Sequence, residues 1–250
     1  MKKNENPGLI QEKKKLLYSA IPSLLFVFVL WVIFFCDEAF DLGLKNYGLK
    51  PKTEEGLIGI FTSPFLHGDL QHIFSNSIPI LILGTALNYF YHRIAYIVFF
   101  LIWMMSNTWV WISASAGNHI GASGIIYGLA AFIFLSGILR NDGRLMAISF
   151  LVAFMYGGLI WGIFPELFPE QNISWESHLF GGVAGIVMAI FFREKGPPKK
   201  KYSWDFEEEE DDRDDISTQI PEEDINRNVN IQYIYRDKNS ESNNDGEVNT

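Results

Sequence analysis

A single cysteine, Cys36, stands in 250 residues, which excludes an internal disulfide framework and any cysteine-based zinc site. No His-Glu-x-x-His pattern occurs either, so a zinc-protease helix is excluded, and neither a metal nor another cofactor is expected. Acids are nearly missing from the long apolar runs: only Asp69 falls within one, at its boundary, whereas an aspartyl mechanism needs two carboxylates side by side. A basic groove with interleaved aromatics is also missing, which argues against nucleic acid as a partner. The formal charge of −9 is confined to one end of the chain. Residues 203–250 hold 16 acidic and 4 basic side chains, and residues 1–202 hold 13 acidic and 16 basic ones.

Apolar and aromatic residues are abundant instead: 48% of the chain is hydrophobic, with 21 Phe, 10 Tyr and 7 Trp. Six apolar runs, at 17–36, 68–90, 94–115, 121–139, 145–165 and a shorter 178–192, approach the roughly 20 residues that cross a bilayer as a helix. The pattern argues against a water-soluble enzyme and predicts an all-α, polytopic membrane protein with six transmembrane helices. The first run is too long for the apolar segment of a signal peptide and no small-residue cleavage site follows it, so it is read as a retained helix.

Basic residues fix the predicted orientation, because those in short loops stay on the cytoplasmic side. With six alternating helices, 13 of them fall on one side, from Lys2, Lys3 and Lys13 to Lys15, through Arg93, Arg140 and Arg144, to the group after Arg193; Lys45, Lys50 and Lys52 lie opposite. Both termini are therefore predicted in the cytoplasm, with the lipid bilayer, as a plasma membrane, around the body. The expected divisions are an N-terminal arm at 1–16, a membrane domain at 17–193 and an acidic tail at 194–250, disordered on its composition. The outer loops are 37–66, 113–120 and 166–177, with Phe168 and Trp175 suited to the interface.

Polar groups inside hydrocarbon are costly, so those in the runs need a reason. Three clusters occur. In His67-Gly-Asp-Leu-Gln-His72-Ile-Phe-Ser-Asn76, His72 and Asn76 are four apart and stack on one helix face about 5.4 Å from each other. They are either buried polar residues bonding a neighbouring helix or donors for chemistry. In Gly121-Ala-Ser123-Gly124, the serine is either part of a small-residue packing device or a reactive hydroxyl. At the helical rise it lies roughly 8 Å below the Gly117-Asn118 turn, within reach of water. In the third cluster His178, Gly181, Gly185 and Ala189 form one stripe, narrow enough for another helix to approach closely, with an imidazole at its outer end. Ser123, Tyr127 and Ala130 offer a matching face. Neither His92, in a cytoplasmic turn, nor His119, in an outer loop, is read as a base or ligand; both are expected to be solvated.

The second, fourth and sixth helices all descend from the outside in this topology, so His72, Asn76, Ser123 and His178 share a shallow depth. A base beside a hydroxyl makes it a nucleophile, and nearby donors stabilise an oxyanion, which is the chemistry of acyl transfer.

These residues, in this order, resemble the rhomboid family of intramembrane serine proteases: His67, His72 and Asn76, then Gly121-Ala-Ser123-Gly124-Ile-Ile-Tyr127-Gly128, then His178-x-x-Gly181-x-x-x-Gly185. Phe61 to His67 is similar to that family's approach to its second helix. The resemblance implies a six-helix bundle with a Ser-His dyad that cleaves transmembrane or membrane-proximal segments of other proteins. Ser123 would be the nucleophile, and His178 the general base and acid. The Ser123 amide with His72 and Asn76 would form the oxyanion hole, and Tyr127 would hold the imidazole. Gly121, Gly124, Gly181 and Gly185 would serve helix packing, and the region 154–177 would gate substrate and water. The 37–66 loop is short for the family, with Ile58 and Gly59 where a Trp-Arg pair stands elsewhere. The alternative is a non-catalytic rhomboid-like protein that binds transmembrane segments. A small transporter fits less well, since it would need ionisable residues deeper in the spans. Asn172-Ile-Ser174 matches a glycosylation acceptor, a pattern common by chance.

Overall fold

A chain in hydrocarbon must satisfy its backbone polar groups internally, and long apolar runs do so as helices. The computed structural model describes residues 7–155 and 174–196, all within one compact unit spanning Met1–Lys200. The described helices are α1 (Pro7–Phe40), the single-turn α2 (Gly59–Thr62), α3 (Leu70–Tyr91), α4 (Ala95–Ser113), α5 (Ser123–Arg140), α6 (Gly143–Met155) and α7 (Trp175–Phe191). Among the described residues there is no β-strand, only an antiparallel bridge between Leu49 and His119.

Four of these helices, α1, α3, α4 and α5, are long and apolar enough to cross a membrane, and α7 is a shorter apolar helix of 17 residues. The first run is longer than its apolar stretch predicts, because α1 continues through the lysine-rich arm to Phe40. It stops where Asp41 takes a positive φ of 50°, and the Asp37 carboxylate accepts the Leu44 amide at 2.8 Å to fold the chain back. The fifth run is described only to Met155. Its remainder, Phe168, Asn172, most of the region expected to gate substrate, and the acidic tail lie outside the described residues.

Helix α5 is the centre of the bundle, packing on α7, α6, α4 and α3, while α1 lies along α3. Ile73 and Leu83 of α3, Ile102 of α4, and Leu129 and Phe132 of α5 are fully buried in the core between them. The connection from α1 to α3 is a series of tight turns held to α4. Trp103 Nε1 and Asn107 Nδ2 both donate to the Ile60 carbonyl, at 2.9 and 2.8 Å, and Asn107 also reaches Ser63 Oγ at 3.1 Å. The Gly121 amide then donates to the Ser63 carbonyl at 2.9 Å. The entries to α3 and α5 are thereby held at one end of the bundle. At the other end the buried guanidinium of Arg140, the last residue of α5, donates through Nη2 to three carbonyls: Phe192 at 3.3 Å, and Arg193 and Lys195 at 2.6 Å each.

Candidate active site

Helices α5 and α7 cross with almost nothing between their backbones. A Cβ placed on Gly181 would fall 2.0 Å from the Gly124 carbonyl oxygen, and one on Gly185 would fall 2.1 Å from that of Gly128. The small-residue stripe read from the sequence is therefore a backbone-to-backbone contact. At one end of that crossing, Ser123 opens α5 and His178 lies in the first turn of α7.

The crossing brings Ser123 and His178 into hydrogen-bonding contact: His178 Nε2 lies 2.9 Å from Ser123 Oγ. The imidazole is buried, and it stacks on the Tyr127 ring with centroids 4.1 Å apart and planes 10° from parallel. Tyr127 is one turn below Ser123 on α5, so a single helix supplies both the hydroxyl and the surface that orients its partner. Because Ser123 is the first residue of its helix, its backbone N–H belongs to the group that has no intrahelical acceptor. It points from the positive end of the helix dipole, a site suited to developing negative charge.

His72 and Asn76 approach from α3. Gly121, two residues before Ser123, has φ 107°, a left-handed conformation that favours glycine. A Cβ there would sit 2.5 Å from His72 Nε2 and 3.6 Å from Asn76 Nδ2, so both side chains converge on this bare turn. Gly121 thus lies in the turn ahead of α5 and makes its close approach to α3. Asn76 uses one amide proton on the His72 carbonyl at 3.1 Å, and its other proton remains to donate. Asp69, the lone acid near the second run, caps α3 by accepting the His72 amide at 2.8 Å.

His67 is buried beneath this cluster. Neither ring nitrogen has a hydrogen-bond partner of full geometry, and the ring packs edge-on against His72, centroids 5.0 Å apart. Burial, and secondarily the neighbouring His72, push the His67 imidazole down from 6.5 to about 3. The fold accepts the neutral ring, whereas the unfolded chain takes up a proton below about 6.5. Stability contributed by this residue is therefore intact above that pH and declines as pH falls toward 3, by up to about 1.4 kcal/mol per pH unit. Thermal melting in detergent between pH 7 and 5.5 should show a steeper acid loss for the native chain than for His67→Leu; equal slopes would contradict the assignment.

Three expectations need correction. His119 is not solvated: it is 8% exposed, its Nδ1 is hydrogen-bonded to Ser174 Oγ, and its backbone pairs with Leu49. Ser123 does not lie several helical residues below the 117–118 turn, because residues 119–122 are not helical and α5 starts at the serine itself. The sixth helix begins at Trp175, earlier than expected, because Ser174 caps it, its side chain accepting the Ser177 amide at 3.3 Å. That extension brings a second acid, Glu176, to the site's border, where it is buried and accepts the Ser115 amide at 3.4 Å. Among the described residues no group of His, Cys, Asp and Glu side chains is arranged to hold a metal.

Apolar helices long enough to cross a membrane, gathered around a serine hydrogen-bonded to an imidazole, define the class: a multi-pass helical membrane protein with a polar site at one end of its bundle. The Rhomboid domain family matches residues 54–195, which include every one of these site residues. The chain belongs to the rhomboid family. It is 33% identical over 177 residues to an uncharacterized protein of Mycobacterium tuberculosis, covering 66% of this chain and 72% of that one. An uncharacterized protein of Mycobacterium leprae is 31% identical over 177 residues, 66% of this chain and 68% of its own. The rhomboid protease GlpG of Pectobacterium atrosepticum is 28% identical over 131 residues, 52% of this chain and 47% of that protein.

Proposed function

We propose that this protein is an intramembrane serine endopeptidase that hydrolyses peptide bonds in or near transmembrane segments of other membrane proteins. The observation that carries the reading is the 2.9 Å contact between Ser123 Oγ and His178 Nε2. With the imidazole proton on Nδ1, Nε2 accepts the Ser123 hydroxyl proton as Oγ attacks the substrate carbonyl. The oxyanion is stabilised by the Ser123 amide, His72 Nε2 and Asn76 Nδ2. His178 then returns the proton to the departing amine, and water, activated in the same way, releases the acyl chain from Ser123. Tyr127 keeps the ring in plane for both transfers, the task an aspartate performs in a triad.

In this reading six helices of residues 17–193 span a plasma membrane, the Ser123 end faces outward, and both termini are cytoplasmic. The excess of Lys and Arg at the opposite end supports it. The acidic segment after 194 takes no part in hydrolysis.

A fluorophosphonate probe separates this from a non-catalytic protein that only binds transmembrane segments. Covalent labelling is expected on Ser123 in the folded protein, and none is expected after Ser123→Ala or heat denaturation. Specific cleavage by the Ser123→Ala protein would overturn the mechanism.

A further inference from the structure

The proposed hydrolysis occupies the end of the bundle where α3, α5 and α7 begin. Toward the opposite end, a cleft of about 210 Å³ runs between α1, α3 and α4. Its walls are almost wholly apolar, formed by Pro22 and Phe26 of α1, Leu87 of α3, and Ala95 and Phe99 of α4. Packing explains the gap: α1 lies against α3, whereas α4 is drawn to α5 and α7, so the flanking helices diverge across α3.

The cleft is closed on its outer side by aromatic rings. Phe26 packs on Phe99 at 5.3 Å and on Phe65 at 5.5 Å, and Phe65 packs on Trp103 at 5.4 Å. Toward the inner end it runs past Asn88 to Tyr96, which is 68% exposed. Cations stand there. Lys15 Nζ lies 4.2 Å from the centre of the Tyr89 ring, beside Asn88, and Arg93 is exposed in the turn between α3 and α4, with no ion pair among the described residues. The acid at this mouth is Glu12, which accepts the Tyr89 hydroxyl.

A fitting occupant is apolar along its length and anionic at one end. A further helix is too wide, whereas the space takes a segment of one extended hydrocarbon chain, about seven groups of water size at roughly 30 Å³ each. We propose that the cleft binds one acyl chain of an anionic phospholipid, with the lipid's phosphate held by Lys15 and Arg93. Attraction of the cations to anionic headgroups supplies the selectivity, and chain burial against Phe26 and Phe99 supplies the residence. The bound chain fills the divide between α1 and α4 and docks α1 on the bundle.

Native mass spectrometry of the full chain in neutral detergent tests this, with dioleoyl phosphatidylglycerol and dioleoyl phosphatidylcholine added in equal amounts. Retention of phosphatidylglycerol should exceed that of phosphatidylcholine about tenfold, and Lys15→Gln with Arg93→Gln should abolish the difference. Arg193→Gln with Lys195→Gln removes the same charge elsewhere on this rim and should leave the preference intact. Leu87→Phe, which fills the cleft, should reduce retention of both lipids while the melting temperature holds. An equal effect of the two charge pairs would reduce the attraction to a diffuse surface field and overturn the proposal. So would undiminished retention by a folded Leu87→Phe protein. The charged pairs are exposed, so their comparison stands even if the Leu87 variant fails to fold.

Discussion

His178→Ala is expected to lower kcat for a reporter transmembrane substrate by about 10⁴-fold or more, with KM changed little. Four decades correspond to about 5 kcal/mol of transition-state stabilisation. In the proposed mechanism the imidazole acts on a proton that moves only during attack and departure, so the loss should fall on kcat. Substrate docking does not depend on it. Stability should fall only modestly, through the lost stacking on Tyr127, since the truncated side chain leaves the Gly124–Gly181 crossing intact. Cleavage assays beside melting curves separate the two effects, and a variant retaining a tenth or more of native turnover would remove His178 from the role of general base.

The second large effect is expected at two adjacent glycines with opposite outcomes. Gly181→Ala puts a methyl 2.0 Å from a backbone oxygen of α5, where no side chain can rotate away, so the helices must separate. About 2–3 kcal/mol of stability should go with it. Activity should fall further, since a displacement near 1 Å at reacting groups reduces rate about 100-fold. At Gly182 a Cβ meets nothing within 4 Å, so Gly182→Ala should be neutral or stabilising by up to about 1 kcal/mol through helix propensity. Thermal denaturation of both variants measures the contrast. Equal behaviour would mean that the crossing is not set by bare backbone.

Much of this site is legible before any coordinates, for identifiable reasons. The recurrence of His178, Gly181 and Gly185 is a local helical period, and only a close helix partner makes use of it. The pairing of Ser123 with His178 follows once a second small-residue face is found. What periodicity misses is where helices begin. Ser174 has the residue type that caps a helix, so α7 starts at Trp175 and Glu176 is drawn into its first turn. The apolar run alone begins later and hides both. His119 looks like a loop residue because its neighbours are small and polar. Its burial comes from partners 55 and 70 positions away, Ser174 and Leu49, and no local pattern reports such contacts. Gly121 illustrates the same limit, since the space a Cβ would take there is filled by His72 arriving from α3.

Arg140 gives the end of the bundle opposite Ser123 a property of its own. Carbonyls just past the end of a helix ordinarily turn to water or fray, yet here three of them, from Phe192 to Lys195 beyond α7, are gathered by one fork-shaped cation belonging to the neighbouring helix. The helices bearing the hydroxyl and the imidazole are consequently riveted at the far end as well as interleaved along their length. Tension applied to the chain just beyond Gly196 therefore reaches α5 through that rivet before it can unwind α7, and the two reactive groups travel together.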